Sequence, residues 1–265
     1  MATTINNSTT GILTTPDATG NLVIQTASSN AIVIDNLQNV GIGITPAGLD
    51  LLELGAGNAT VAPLGLNSGT LLTTADAGSV EYDGKAFYMD AEALQRGVVN
   101  AEQFITLTSN YTTATGTTQV LKQLFNSPAN GTLTVAGSTT YFFECMFNLT
   151  SMSATSGTFS FGLAGTATYS SVLYTALANK TATTVQTAQN ITLGTVATVT
   201  ILIGTANTTT TGYAMIKGKV VIGTGGTIIP SFALSTAAAA VVNTGSYFRI
   251  VPVGSNTVQS VGNWA

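Results

Sequence analysis

The sequence predicts an all-β protein, and two observations lead there. From residue 101 onward, apolar and polar residues alternate in short runs bounded by Gly, Thr, Asn and Ser, the period-2 pattern of half-buried strands. Before residue 63, short apolar bursts are separated by the same turn-forming residues. One stretch competes with this reading: in Gln119–Phe125, Val120, Leu121, Leu124 and Phe125 recur at helical spacing, and a short helix there would leave the architecture unchanged. The expected organisation is a short-strand docking or shaft segment over 1–62, a hairpin neck over 63–100, and a β-sandwich, jelly-roll-like head over 101–265.

Composition says how such a chain stays in solution. Hydrophobic residues make up 45% and charged residues 7% of its 265 positions, against a usual charged share of ~25%. A lone domain keeps a charged skin; a chain without one is expected to cover its sides with copies of itself, as a multimer. Membrane insertion is not expected. No uninterrupted apolar run approaches the ~18–20 residues of a spanning helix, and the regular girdled segments of an outer-membrane barrel are not evident. The opening Met-Ala-Thr-Thr-Ile-Asn-Asn has neither the basic start nor the apolar core of a signal peptide.

The charges are unevenly placed. Residues 1–102 carry ten acids and two bases, net −8; residues 103–265 carry one acid, Glu144, and five bases, net +4. Five scattered bases do not make the clustered stripe of a nucleic-acid surface, so no nucleic-acid partner is expected. A weak attraction of the head for an anionic cell surface is the sharper alternative. Cys145 is the one cysteine and its setting is apolar, which suits an inert core thiol. The chain has no histidine, which excludes Ser/His and Cys/His catalysis and His-ligated metals. Neither metal nor cofactor is expected. Gly41 and Gly43 do not make a dinucleotide loop, because Pro46 stands where the third glycine belongs.

In chain order, the first segment offers Gly11-Ile-Leu, Gly20-Asn-Leu-Val-Ile, Ala31-Ile-Val-Ile-Asp and Asn39-Val-Gly-Ile-Gly-Ile as short strands. One copy buries little with such pieces; three wrapped around an axis bury them all. In the neck, Ser79–Tyr82 and Lys85–Tyr88 flank Asp83-Gly84, a dipeptide suited to a type I′ turn. Asp90 is placed to cap one helical turn through Leu94, with Gly97 ending it. In the head, Tyr141–Leu149 alternates: Tyr141, Phe143, Cys145, Phe147 and Leu149 on one face, Phe142, Glu144, Met146 and Asn148 on the other. Strands continue over Thr158–Leu163, Val172–Leu177, Val196–Ile203, Tyr213–Ile222, Thr227–Leu234 and Tyr247–Val253. Glu144 needs a partner if it is to be buried. Arg249, in the last long strand, is expected to supply it, within one copy or across the three-fold interface. Lys217 and Lys219 share a face with Tyr213 and Met215 and are expected on a solvated edge strand. Trp264 is expected to dock on a neighbouring copy.

Two stretches bear a family resemblance. Asn39-Val-Gly-Ile-Gly43, followed by Pro46 and Leu49–Leu54, resembles a motif of bacteriophage tail-fibre shafts and related virion fibre proteins. The stretch from Leu64 through Asp83-Gly84 to Tyr88, closed by Arg96-Gly-Val-Val99, looks like the neck module of such proteins. Tyr141-Phe-Phe-Glu, Ser156-Gly-Thr-Phe-Ser-Phe-Gly-Leu, Tyr247-Phe-Arg-Ile and Gly262-Asn-Trp look like their C-terminal heads. The resemblance implies a structural virion protein, a trimeric tail fibre or spike whose head contacts the host surface. It would be assembled in the bacterial cytoplasm and joined to other virion proteins through its N-terminal segment. The alternatives are a capsid decoration protein or a bacterial surface adhesin. Catalysis is not expected: glycoside hydrolysis needs two acids, and Glu144 is the only acid after Glu102.

Overall fold

The computed structural model describes residues 20–26, 29–47, 50–113, 121–125, 131–153, 158–178, 189–193, 200–201 and 211–257. The Gly11–Leu13 burst, most of the Val196–Ile203 run and Trp264 lie outside them. Every regular element among the described residues is a strand, so the protein is all-β. The chain falls into two compact units, Met1–Asn67 and Ser68–Ala265.

The first unit is one sheet in the order β1 (Leu22–Thr26), β2 (Ser29–Ile34), β3 (Val40–Ile42), β4 (Leu52–Leu54). The first two pairings are antiparallel and the last is parallel. The glycines of the Val-Gly-Ile-Gly run are there for space and backbone freedom. A Cβ on Gly41 would lie 2.2 Å from Ile44 O and 2.9 Å from Pro46 Cδ, and Gly43 has a φ of +71°. Before it, Asp35 closes the β2–β3 turn by accepting from the backbone N–H groups of Leu37 and Asn39, both at 2.9 Å. Registers Leu22↔Ile34, Val40↔Leu52, Ile24↔Ile32 and Ile42↔Leu54 put eight apolar side chains on one sheet face. None of the eight is buried, and Leu52 is 58% exposed. The opposite face holds Val33, 1% exposed and the one fully buried apolar side chain among the unit's described residues.

The second unit begins with a three-stranded sheet, β5 (Val80–Tyr82), β6 (Phe87–Glu92) and β7 (Gln95–Val99). Two expectations need correcting here. The strands close at Tyr82↔Phe87, so the loop spans Asp83 to Ala86. Of Asp83 and Gly84 only Gly84 has positive φ, +86°, which rules out type I′. Asp83 is the reason: its Oδ1 accepts from the N–H groups of both Lys85 and Ala86 at 2.8 Å, and this widens the loop. Asp90 caps no helix. It lies within β6, its buried carboxylate accepting from Asp76 N at 3.2 Å with Arg96 Nε 3.7 Å away. The turn at Leu94, with φ of +67°, leads straight into β7.

The strands that follow are β8 (Gln103–Thr106), β9 (Tyr111–Thr112), β10 (Lys122–Gln123), β11 (Leu133–Val135), β12 (Thr139–Thr150), β13 (Phe159–Ala164) and β14 (Tyr169–Ala178). They continue as β15 (Gln189–Leu193), β16 (Thr200–Ile201), β17 (Gly212–Ile222), β18 (Gly226–Leu234), β19 (Val241–Val242) and β20 (Tyr247–Ser255). The described part of the helical competitor is the short strand β10, paired with β18 at Lys122↔Phe232. One sheet has the path β15-β14-β17-β12, with β12 paired onward to β20 and β20 to β8; the other is built on β10-β18-β13-β16. They face each other through aromatic rings. Phe161 of β13 stacks on Phe143 and on Phe147 of β12, each at 6.4 Å, while Phe159 meets Phe147 edge-on at 5.6 Å. Tyr174 adds edge contacts from β14. Cys145 lies fully buried in this core, and burial pushes its thiol pKa well up.

Candidate functional site

The inner face of β12 feeds the core, so by the strand's period its outer face is left to solvent. Pairing then decides what stands beside each outward residue. Antiparallel register sets Leu173, Lys219, Phe142 and Val251 in one row across β14, β17, β12 and β20. The next row is Thr175, Lys217, Glu144, Arg249 and, on β8, Phe104. Between Lys217 and Lys219, a Cβ on Gly218 would lie 2.4 Å from Leu173 O and from Tyr174 Cβ, so the close approach of β14 and β17 here requires glycine. Except for Phe104, the residues of these two rows line an open groove of about 780 Å³.

Glu144 is the electrostatic centre of the groove. Its Oε1 accepts from the Tyr247 hydroxyl, and its Oε2 lies 3.1 Å from Lys217 Nζ and 3.3 Å from Arg249 Nη2. The Tyr247 bond, followed by the two cations, outweighs partial desolvation and lowers the carboxyl pKa below its ordinary value. The same bond raises the Tyr247 pKa to about 12. Arg249 therefore stands beside Glu144 within a single chain. It also lies 3.9 Å from Glu102, a second carboxylate at the groove, which the charge count had grouped with residues 1–102. The only signal for Glu102 was its position just ahead of β8, a strand too short to show alternation. Lys217 and Lys219 do share an outward face, but β17 is an interior strand between β14 and β12. The edge-strand expectation is corrected: an exposed lysine pair looks alike in sequence wherever its strand sits, and only pairing distinguishes the two cases. Lys219 makes no ion pair among the described residues. Phe142 beside it is 54% exposed, and Leu173 on its other side is exposed too.

A second surface is the outer face of the β5–β7 sheet. Val80↔Met89 and Tyr82↔Phe87 place apolar groups together, with Tyr82 and Phe87 stacked at 4.4 Å. Val80, Met89 and Phe87 are exposed. The polar side chains are turned the other way: Glu81 and Arg96 form an ion pair at 2.9 Å and bind the Leu72 backbone at both N–H and C=O. Asp83 accepts from the hydroxyl of buried Tyr88 at 3.1 Å. Asp83 and Gly84 thus hold the hairpin's shape. Among the described residues no cluster of carboxylates, cysteine or histidine is arranged to hold a metal ion.

No protein-family model matches the chain, and no curated protein matches it. A solved chain described as the structure of infectious bursal disease virus Gt strain aligns over 74% of this chain and 55% of its own length, at 13% identity. The chain thus spans about half of that protein. The TM-score is 0.17, too low to carry an argument about fold or function.

Proposed function

We propose that this chain is a structural protein of a bacteriophage virion: a homotrimeric tail fibre or spike, docked through its N-terminal segment, with a jelly-roll-like head that contacts the host surface. One observation carries the reading, the apolar face of the β1–β4 sheet, where eight aliphatic side chains stand together and none of them is buried among the described residues. At roughly 25 cal/mol per Å² of apolar surface removed from water, a face of this kind rewards a second and third copy. The exposed Val80–Met89–Phe87 face and the 7% charge content favour the same arrangement. The head acts by multivalent display, where three weak sites gain through effective concentration; the reading assigns it no catalysis and no cofactor. Glu144, held ionised by Tyr247 and two cations, is poorly suited to the proton donation that glycoside cleavage requires. Native mass of the purified chain tests the proposal: a trimer is expected, and a stable, well-behaved monomer overturns it. Antibody labelling of intact particles with a head-directed serum then distinguishes tail from capsid shell, where a decoration protein would sit.

A further inference from the structure

The groove on the outer face of the head has a composition that selects among ligands. Its charges are three cations, Lys217, Lys219 and Arg249, against two carboxylates, Glu102 and Glu144. Both carboxylates and two of the cations are engaged with each other at 3.1 to 3.9 Å. What remains is one ammonium group, on Lys219. It stands between a half-exposed aromatic ring, Phe142, and an exposed aliphatic side chain, Leu173. A polyanion such as a nucleic acid gains from many cations and is opposed by carboxylates at the rim. A neutral apolar ligand leaves the ammonium with no counter-charge. A sugar ring bearing a single carboxylate satisfies each feature. Its carboxylate meets Lys219, and its C–H face lies on Phe142. Its hydroxyls can donate to the carboxylates of Glu102 and Glu144, which accept hydrogen bonds only.

We infer that this groove binds an acidic monosaccharide unit, a uronic- or sialic-type residue of a surface glycan. The inference rests on the proposed host-contact role of the head and names its ligand class. Electrostatics supports the choice, since the three cations lining the groove outnumber its two carboxylates.

The test uses the full chain and four probes in ligand-observed NMR titrations: methyl glucuronide, a methyl sialoside, methyl glucoside and inorganic sulfate. At least one acidic glycoside is expected to bind, with the uncharged glucoside and sulfate weaker by about fivefold or more. Lys219→Ala should reduce acidic-sugar binding to the glucoside level with an unchanged melting temperature, while Phe142→Ala should weaken both sugars. Equal binding of charged and uncharged sugars, binding of sulfate as strong as that of the sugars, or failure of both acidic glycosides overturns the inference. So does a change of native mass in Lys219→Ala without any sugar signal, because the groove would then be covered by a second copy. Failure here is separable from failure of the fibre reading. A trimer that ignores all four probes loses the ligand, whereas a monomer that binds the acidic sugar keeps the site and loses the fibre.

Discussion

The β1–β4 sheet and the sheet that contains β12 begin from the same rule and end differently. In each, alternation sorts apolar side chains onto one face. The apolar face of β12 meets Phe159 and Phe161 from the opposing sheet and is buried. On the apolar face of β1–β4 none of the eight described side chains is buried, and Leu52 and Ile42 are exposed. A sheet with a second layer is a self-sufficient core; a sheet without one is half of a core awaiting its complement. The head is therefore expected to be stable chain by chain, and the first unit to depend on assembly.

The strongest way to break that contrast is to open the head. Phe161→Ala removes a fully buried ring from between two sheets and should cost about 3–5 kcal/mol, read as a drop in the denaturant midpoint of the main unfolding transition. If the loss is under about 1 kcal/mol, the head has no shared core in the sense described. The complementary test places charge on the open face. Ile42→Glu combined with Leu52→Glu should convert the assembled form to monomer by native mass and leave the head's melting unchanged. Retention of the trimer would show that assembly does not use that face.

Smaller effects sharpen the picture within the second unit. Asp83→Ala takes the acceptor from the Tyr88 hydroxyl and from two backbone N–H groups. A cost of about 1–3 kcal/mol is expected by chemical denaturation. The smallest effect is a titration. Glu144 has a depressed pKa in the fold, so its contribution is complete above the unfolded value of about 4.3 and is lost as pH falls through the lower folded value. Tyr247 is raised from 10.0 to about 12, so its contribution is complete below pH 10 and lost as pH rises through 12. Ultraviolet titration of Glu144→Gln should show the Tyr247 phenol ionising nearer its ordinary value; an unmoved titration would mean the bond does not form in solution.

Much of this was legible in the residues. The two faces of Tyr141–Leu149 follow from strand period alone, and burial alternates along β12 as the side chains do. The need for glycine at 41 and 43 belongs to a tight loop whose breakers were visible. Less legible were Asp83 and Asp90. Asp-Gly in isolation favours type I′, yet the Asp83 carboxylate recruits two N–H groups and widens the loop. Asp90 resembles a helix cap until the backbone N–H of Asp76, fourteen residues earlier, donates to its carboxylate and Arg96 of the next strand stands 3.7 Å from it.

By itself the sequence determined the all-β class, the division of each strand into two faces, the inert Cys145 and the lack of histidine chemistry. These depend on residue type and on a spacing of two. Tertiary structure alone decided that β17 is interior, that Lys217 stands beside Glu144, that Glu102 joins Arg249 at the same groove, and that Lys219 has no counter-ion among the described residues. The reason is register. Period 2 says which way a side chain points, but its neighbours come from strands paired across long separations in the chain, and a slip of one residue would have given the groove a different set of charges.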